Sequence, residues 1–175
     1  PGAIVICQLG DRIGLVQSYR MVGERLLPRA GSQYIQRLQA EGLWKKLVES
    51  LGQWKWECPR GLVHVPPGEL DVDEFVVNAA KLEALEEAGF RIADATLVGR
   101  VNVNPTFFAH PQWVVHATIE SMGEATPEDL EIIGKAKLFS FEEIVAMIDS
   151  GELDDGLTLA GLGLCALKGV TNLNR

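Results

Sequence analysis

The sequence predicts an α+β fold, a mixed and largely antiparallel sheet with helices on its faces. Two observations carry this. Strand-like and helix-like segments follow one another as strands, helix, strands, helix, with none of the regular βαβ alternation that a parallel sheet requires. The 175 residues, 47% hydrophobic and 23% charged, suit one domain with a proper core, here expected to span 1–175.

The elements follow in order. "AIVICQ" (3–8) and "IGLVQSYR" (13–20) read as two strands joined by a Gly-Asp turn. From Leu26 to Gln53 the texture changes. "GSQYIQRLQAEGLWKKLVESLG" has a Ser N-cap candidate and helix-period apolar residues, predicting one helix or two short ones inserted between strands at about 26–53. Its Trp44, Leu47 and Leu51 follow helix spacing and suit either a protein interface or a cover for the domain's own core. "WKWECP" (54–59) and "LVHV" (62–65) return to strand composition before the turn-rich "PPGELDVD".

A helix is then predicted from about Asp73 to Ala88. Phe75, Val76, Ala79, Ala80, Leu82 and Leu85 form its expected buried stripe, and Gly89 is its expected left-handed cap. Residues 95–104 and 112–119 are predicted strands, separated by the aromatic loop "PTFFAHP"; 131–140 is a further strand, entered through "GEATPEDL". Two helices finish the chain. "SFEEIVAMIDSG" opens on a capping box of Ser140 and Glu143, and "GLTLAGLGLCALKG" follows.

Charge and composition exclude several function classes. The net charge of −8, from 24 acidic and 16 basic residues, argues against nucleic acid and anionic membranes as partners. Cys7, Cys58 and Cys165 are scattered and odd in number, as expected of reduced core thiols in a cytoplasmic protein. No apolar run approaches a membrane span, and no signal peptide opens the chain; Pro1 suggests that the natural start is missing.

The informative stretch is "LEALEEAGF" (82–90). Glu83, Glu86 and Glu87 sit at i, i+3 and i+4, so their carboxylates crowd one helical face and repel by roughly 0.2–0.5 kcal/mol per pair. They also stand at the C-terminal end, where the helix dipole is already negative. Glu is a good helix former, and exposed Glu clusters are commonly no more than a solvated face. A divalent cation gives the crowding a purpose, because Mg2+ prefers oxygen ligands and retains waters that a substrate can displace.

Extended backwards, "GELDVDEFVVNAAKLEALEEAGF" (68–90) resembles the signature of the Nudix hydrolases, G-x5-E-x7-R-E-U-x-E-E-x-G-U, where U is bulky and aliphatic. Gly68, Glu74, Glu83, Glu86, Glu87, Gly89 and Phe90 fall in register. Leu82 stands in place of the family's Arg, and Ala84 in place of a larger aliphatic residue. The resemblance extends over most of the chain: "IGLVQSYR", "WECPRG" and the C-terminal "EDLEIIGKAKLFSFEEIVAMIDSGELDDGLTLAGLGL" are similar to the ADP-ribose pyrophosphatase branch. "LVHVPPG" lengthens the connection from Gly61 to the signature.

The resemblance implies a Nudix-like sheet sandwiched between helices, and Mg2+ (or Mn2+) held by Glu83, Glu86 and Glu87 on one partly exposed site. It implies hydrolysis of the diphosphate bond in a nucleoside-diphosphate-linked substrate, ADP-ribose or a nucleotide sugar. Glu83 and Glu87 are the expected catalytic carboxylates. A loop carboxylate is the expected general base, Glu128 by position and Glu124 next. Arg20 and Phe107 are the expected substrate contacts, with Phe108 and Trp113 as further stacking candidates, and a homodimer is the expected assembly. The family's Arg pairs with metal-binding carboxylates, and Leu82 cannot. A weakened enzyme and an inactive module binding a nucleotide or partner protein therefore stand side by side. His64, His110 and His116 lack zinc-site spacing, and His116 reads as structural.

Overall fold

The computed structural model describes residues 2–20, 40, 42, 52–66, 68, 71–106, 110–127 and 132–171. The helical insertion predicted at 26–53 falls outside them, apart from Ala40, Gly42, Gly52 and Gln53.

Seven strands form one mixed sheet. They are β1 (Gly2–Leu9), β2 (Arg12–Arg20), β3 (Gln53–Glu57), β4 (Arg60–Leu62), β5 (Phe90–Val101), β6 (Gln112–Met122) and β7 (Ile133–Phe139). The helices are α1 (Val72–Ala88), α2 (Phe141–Ser150) and α3 (Gly156–Leu167). The main path runs β3-β2-β1-β6-β5, with β4 also on β1 and β7 also on β2. Among the described residues only β1 and β6 pair in parallel, and the other pairings are antiparallel.

β1 is the central strand because it is apolar on both faces. Ala3, Val5 and Cys7 meet α1, while Ile4 and Ile6 join a second core with residues of α2 and α3. Gly10 has φ +60° in the two-residue turn to β2, a conformation that a Cβ would strain.

Helix α1 is set by its caps. Asp71 Oδ1 accepts from the Glu74 N–H at 3.0 Å, and Gly89 is left-handed at φ 67°. A Cβ at Gly89 would also lie 2.3 Å from the Gly123 carbonyl oxygen, so glycine is required there twice over. The buried stripe is narrower than the sequence suggests. Val76, Ala80, Ala84 and Ala88 repeat at i+4 and let the helix sit close on β1. Leu82 is 53% exposed, contrary to its expected place on that stripe. At about 100° per residue it stands some 200° around the axis from both Ala80 and Ala84.

Strand boundaries also differ, β5 ending at Val101 rather than 104 and β6 running to Met122 rather than 119. β5 begins directly at Phe90 rather than near 95, since the Gly89 cap turns the chain straight into pairing with β6. β4 ends at Leu62, so "LVHV" is not a strand beyond its first residue. The capping box at Ser140 and Glu143 is present. No helix among the described residues is long and apolar enough to cross a membrane.

Candidate active site

The site lies where the sheet splits. β1 and β2 pair only through Cys7–Leu9 and Arg12–Gly14, then diverge. Beyond that point β4 takes the vacated edge of β1 at Gly2–Ile4, and β3 takes that of β2 at Val16–Arg20. The chain crosses the gap through "ECPR" (57–60), pinned by the Val5 N–H donating to the Pro59 carbonyl at 2.9 Å.

That crossing gathers charge at the gap. Glu57 is 1% exposed and is clamped by two guanidiniums. Arg20 Nε donates to its Oε1 at 2.9 Å, and Arg20 Nη2 donates to the same oxygen; Arg60 Nη2 reaches Oε2 at 2.6 Å. Arg60 Nη1 extends to both oxygens of Asp155, at 3.0 and 2.9 Å. Asp155 is the N-cap of α3, accepting from the Thr158 N–H at 2.8 Å, and Thr158 Oγ1 accepts from the buried Cys58 N–H at 2.9 Å. A buried carboxylate is tolerated when paired and hydrogen-bonded, and each of these is. Burial opposes the Asp155 charge, yet Arg60 and the Thr158 bonds overcome it and hold the carboxyl below its ordinary value. Burial likewise pulls on Arg20, and Glu57 overcomes it, raising the guanidinium further.

The glutamates of α1 meet the same crossing. Glu87 is 1% exposed, and its Oε2 accepts from the Arg60 backbone N–H at 2.8 Å. The half-buried Glu83 lays its carboxylate on Gly61; a Cβ there would sit 1.8 Å from Oε1. Glu86, also half-buried, is one step around the helix, and its carbonyl accepts from the Thr126 N–H at 2.8 Å. Glu83 and Glu87 thus converge on residues 60–61, with Glu87 more deeply buried than expected. Among the described residues no three His, Cys, Asp or Glu side chains form a group able to hold a metal on their own. The donor set suits a cation that takes carboxylate oxygens from Glu83 and Glu87 and keeps coordination open for water and substrate, as Mg2+ does. Gly61 is the cradle that admits the Glu83 carboxylate.

A cleft of about 500 Å3 opens over this cluster, lined by Arg20, Arg60, Glu83, His64, His110 and Gln112, with Leu62 and Leu157 as apolar walls. The Gln112 amide meets His110 Nδ1 at 3.3 Å. With the amide as donor, a neutral His110 keeps its proton on Nε2.

Arg20, Glu83 and Glu87 therefore come together around the start of β4, and Glu86 lies on the adjoining helix end. Phe107, Phe108 and Glu128 fall outside the described residues. Glu124 is exposed, and Trp113 is half-buried against the α1 core. His116 meets Gln8 Oε1 at 2.9 Å, and burial lowers its pKa although Asp94 opposes this, in keeping with a structural role. Burial pushes the Cys7, Cys58 and Cys165 thiols up, the last to about 11, which removes them as nucleophiles near neutral pH.

Sequence reasoning passed over Glu57, Arg60, Asp155 and Gln112 as site residues, and it placed His110 in the aromatic loop near a ligand without choosing it. "WECPRG" carried a signal for the first two, and the Asp-x-x-Thr cap before α3 carried one for Asp155.

No family model and no curated protein matches the chain. Solved structures do. The crystal structure of an ADP compounds hydrolase superposes with a TM-score of 0.62 at 18% identity, covering 97% of this chain and 73% of that one. A NUDIX hydrolase from Nitrosomonas europaea superposes with a TM-score of 0.56 at 17% identity, covering 95% of this chain and 87% of that one. The fold is the α+β fold of the Nudix hydrolases, as the motif in α1 leads one to expect.

Proposed function

We propose that this protein is a metal-dependent Nudix-type pyrophosphatase. It hydrolyses the diphosphate bond of a nucleoside-diphosphate-linked substrate, with ADP-ribose and nucleotide sugars as the leading candidates. The carrying observation is the meeting of Glu83 and Glu87 with Arg60 and Gly61 at the start of β4, at the floor of a cleft that also holds Arg20. The two solved structures, one described as an ADP compounds hydrolase and the other as a NUDIX hydrolase, support it.

A divalent cation bound there supplies charge screening and polarisation of phosphorus to a protein of net charge −8. The chain's own residues do the rest. Glu83 and Glu87 present hard oxygen ligands; the Arg60 N–H fixes Glu87, and Gly61 admits Glu83. Arg20, held through Nε and Nη2 by Glu57, presents the remainder of its planar fork to the cleft, where it suits a phosphate oxygen. Gly123 and Thr126 donate to the carbonyls of Gly89 and Glu86, tying the loop before β7 to the end of α1. Glu128 follows two residues later, and we assign it as general base, with Phe107 as a stacking contact and a homodimer as the assembly. The test is a screen of nucleoside-diphosphate compounds with Mg2+ or Mn2+, read as released nucleotide.

One observation favours a second reading. Leu82 is 53% exposed and cannot orient a carboxylate, so a module that binds such a nucleotide without turnover remains the competitor. Binding without release of nucleotide in the same screen selects it.

A further inference from the structure

Three consecutive residues of the crossing are tied to three different elements. The Cys58 N–H donates to Thr158 Oγ1 of α3 at 2.9 Å, and the Pro59 carbonyl accepts from the Val5 N–H of β1 at 2.9 Å. The Arg60 N–H donates to Glu87 Oε2 of α1 at 2.8 Å. Pro59 joins the outer two anchors stiffly, because its ring fixes φ and the peptide planes on either side resist twisting. A shift at Cys58 is therefore passed on to the Arg60 N–H.

Thr158 occupies a telling position. It is the third residue of α3 after the Asp155 cap, where α2 carries Glu143, whose carboxylate accepts from the Ser140 N–H at 2.7 Å. Threonine favours a helix less than glutamate does, and this one is fully buried. Its hydroxyl serves another segment instead of its own helix. Asp155 holds the same crossing from the side, through Arg60 Nη1. The first turn of α3 thus grips residues 58 and 60, on either side of Pro59.

Resting on the reading of Glu87 as a cation ligand, we propose that Thr158 is a positioning residue for that ligand. By holding the Cys58 N–H it fixes, through Pro59, where the Arg60 N–H meets Glu87, and so sets the affinity for the divalent cation. The helix that follows the last strand thereby tunes a carboxylate on α1 that it supplies no ligand to.

The experiment is Mn2+ binding to the full chain without nucleotide, read from the electron paramagnetic resonance of the free ion. Thr158→Val keeps the shape and removes the acceptor. It should weaken Mn2+ roughly tenfold, the low end of the loss for a group that supports a metal ligand. Thr158→Ser, which restores the hydroxyl, should bind within about threefold of the unmodified protein. Met147→Ala, a core truncation in α2, should lower the melting temperature at least as far and leave affinity within about threefold. In a Glu87→Gln background Thr158→Val should add less than about threefold, because both act through one carboxylate. Coupling is reciprocal, so saturating Mg2+ should slow hydrogen exchange of the Cys58 amide in the unmodified protein more than that of Ile6. Equal slowing overturns the proposal even where Thr158→Val does not fold. So does Mn2+ affinity unmoved by Thr158→Val, unrescued by Thr158→Ser, or equally weakened by Met147→Ala. A full tenfold loss in the Glu87→Gln background does the same. Failure of the unmodified protein to bind Mn2+ sinks the metal reading and takes this proposal with it, whereas the other failures leave that reading standing.

Discussion

Gly61→Ala tests the site through one methyl group. Gly61 is a β4 residue paired with Ala3, and its φ is not positive, so alanine fits the backbone without strain. The new Cβ would stand 1.8 Å from Glu83 Oε1, 2.0 Å from Cδ and 2.4 Å from Oε2, where ordinary contact begins at 3.4 Å. The obstacle is the far end of a flexible side chain, so Glu83 yields rather than the sheet. The carboxylate must withdraw by roughly 1.5 Å, and misplacement on the order of 1 Å costs about 100-fold in rate. Stability should change by no more than about 1 kcal/mol, since losing a glycine from a strand partly offsets the crowding. The assay pairs turnover of nucleoside-diphosphate compounds under Mg2+ or Mn2+ with a melting curve on the same preparation. Gly61→Ala combined with Glu83→Ala should be no slower than Glu83→Ala alone, because both act through one carboxylate. Turnover by Gly61→Ala within threefold of the unmodified protein, at an unchanged melting temperature, would remove Glu83 from the metal site.

Glu87→Ala orphans the part-buried Arg60 N–H and should cost about 1–3 kcal/mol in denaturant unfolding; Glu87→Gln, which keeps an acceptor, should cost less while still weakening Mg2+ binding. The folded Asp155 carboxyl is held below its ordinary value, so its stabilisation is complete above the unfolded value of about 3.9 and is lost as pH falls through the folded value. Asp155→Asn, which preserves a capping side chain, should therefore lower stability at pH 7 and flatten its decline between pH 5 and 2; an unchanged acid limb would refute the role of Arg60 pairing. Leu82→Arg, at a position 53% exposed, should leave stability within about 0.5 kcal/mol. Higher turnover would show its guanidinium reaching Glu83 or Glu86, whereas a folded variant that binds nucleotide and turns over none points to the binding module.

What the sequence determined by itself is local. The C-terminal end of α1 was legible because Gly89 caps it through neighbours within a few residues, as Ser140 and Glu143 do at the start of α2; its first turn, capped by Asp71, begins one residue before the expected Asp73. The i, i+3, i+4 glutamates were legible because helix geometry alone puts them on adjoining faces. β1 and β2 were legible because runs as apolar as "AIVIC" and "IGLV" have few other places to go. Tertiary structure decided the remainder. No local pattern says that Leu82 faces outward, since its burial depends on which side of α1 meets the sheet, and the small residues at 76, 80, 84 and 88 settle that by permitting close approach. Nor does spacing bring Glu57 to Arg20, Arg60 to Asp155 or Cys58 to Thr158. These contacts span 37, 95 and 100 residues and exist because β1 and β2 part, leaving a gap that the 57–60 segment must cross. Charges inside such a gap are stable only in pairs, and the pairing partners come from whichever elements the fold closes around it.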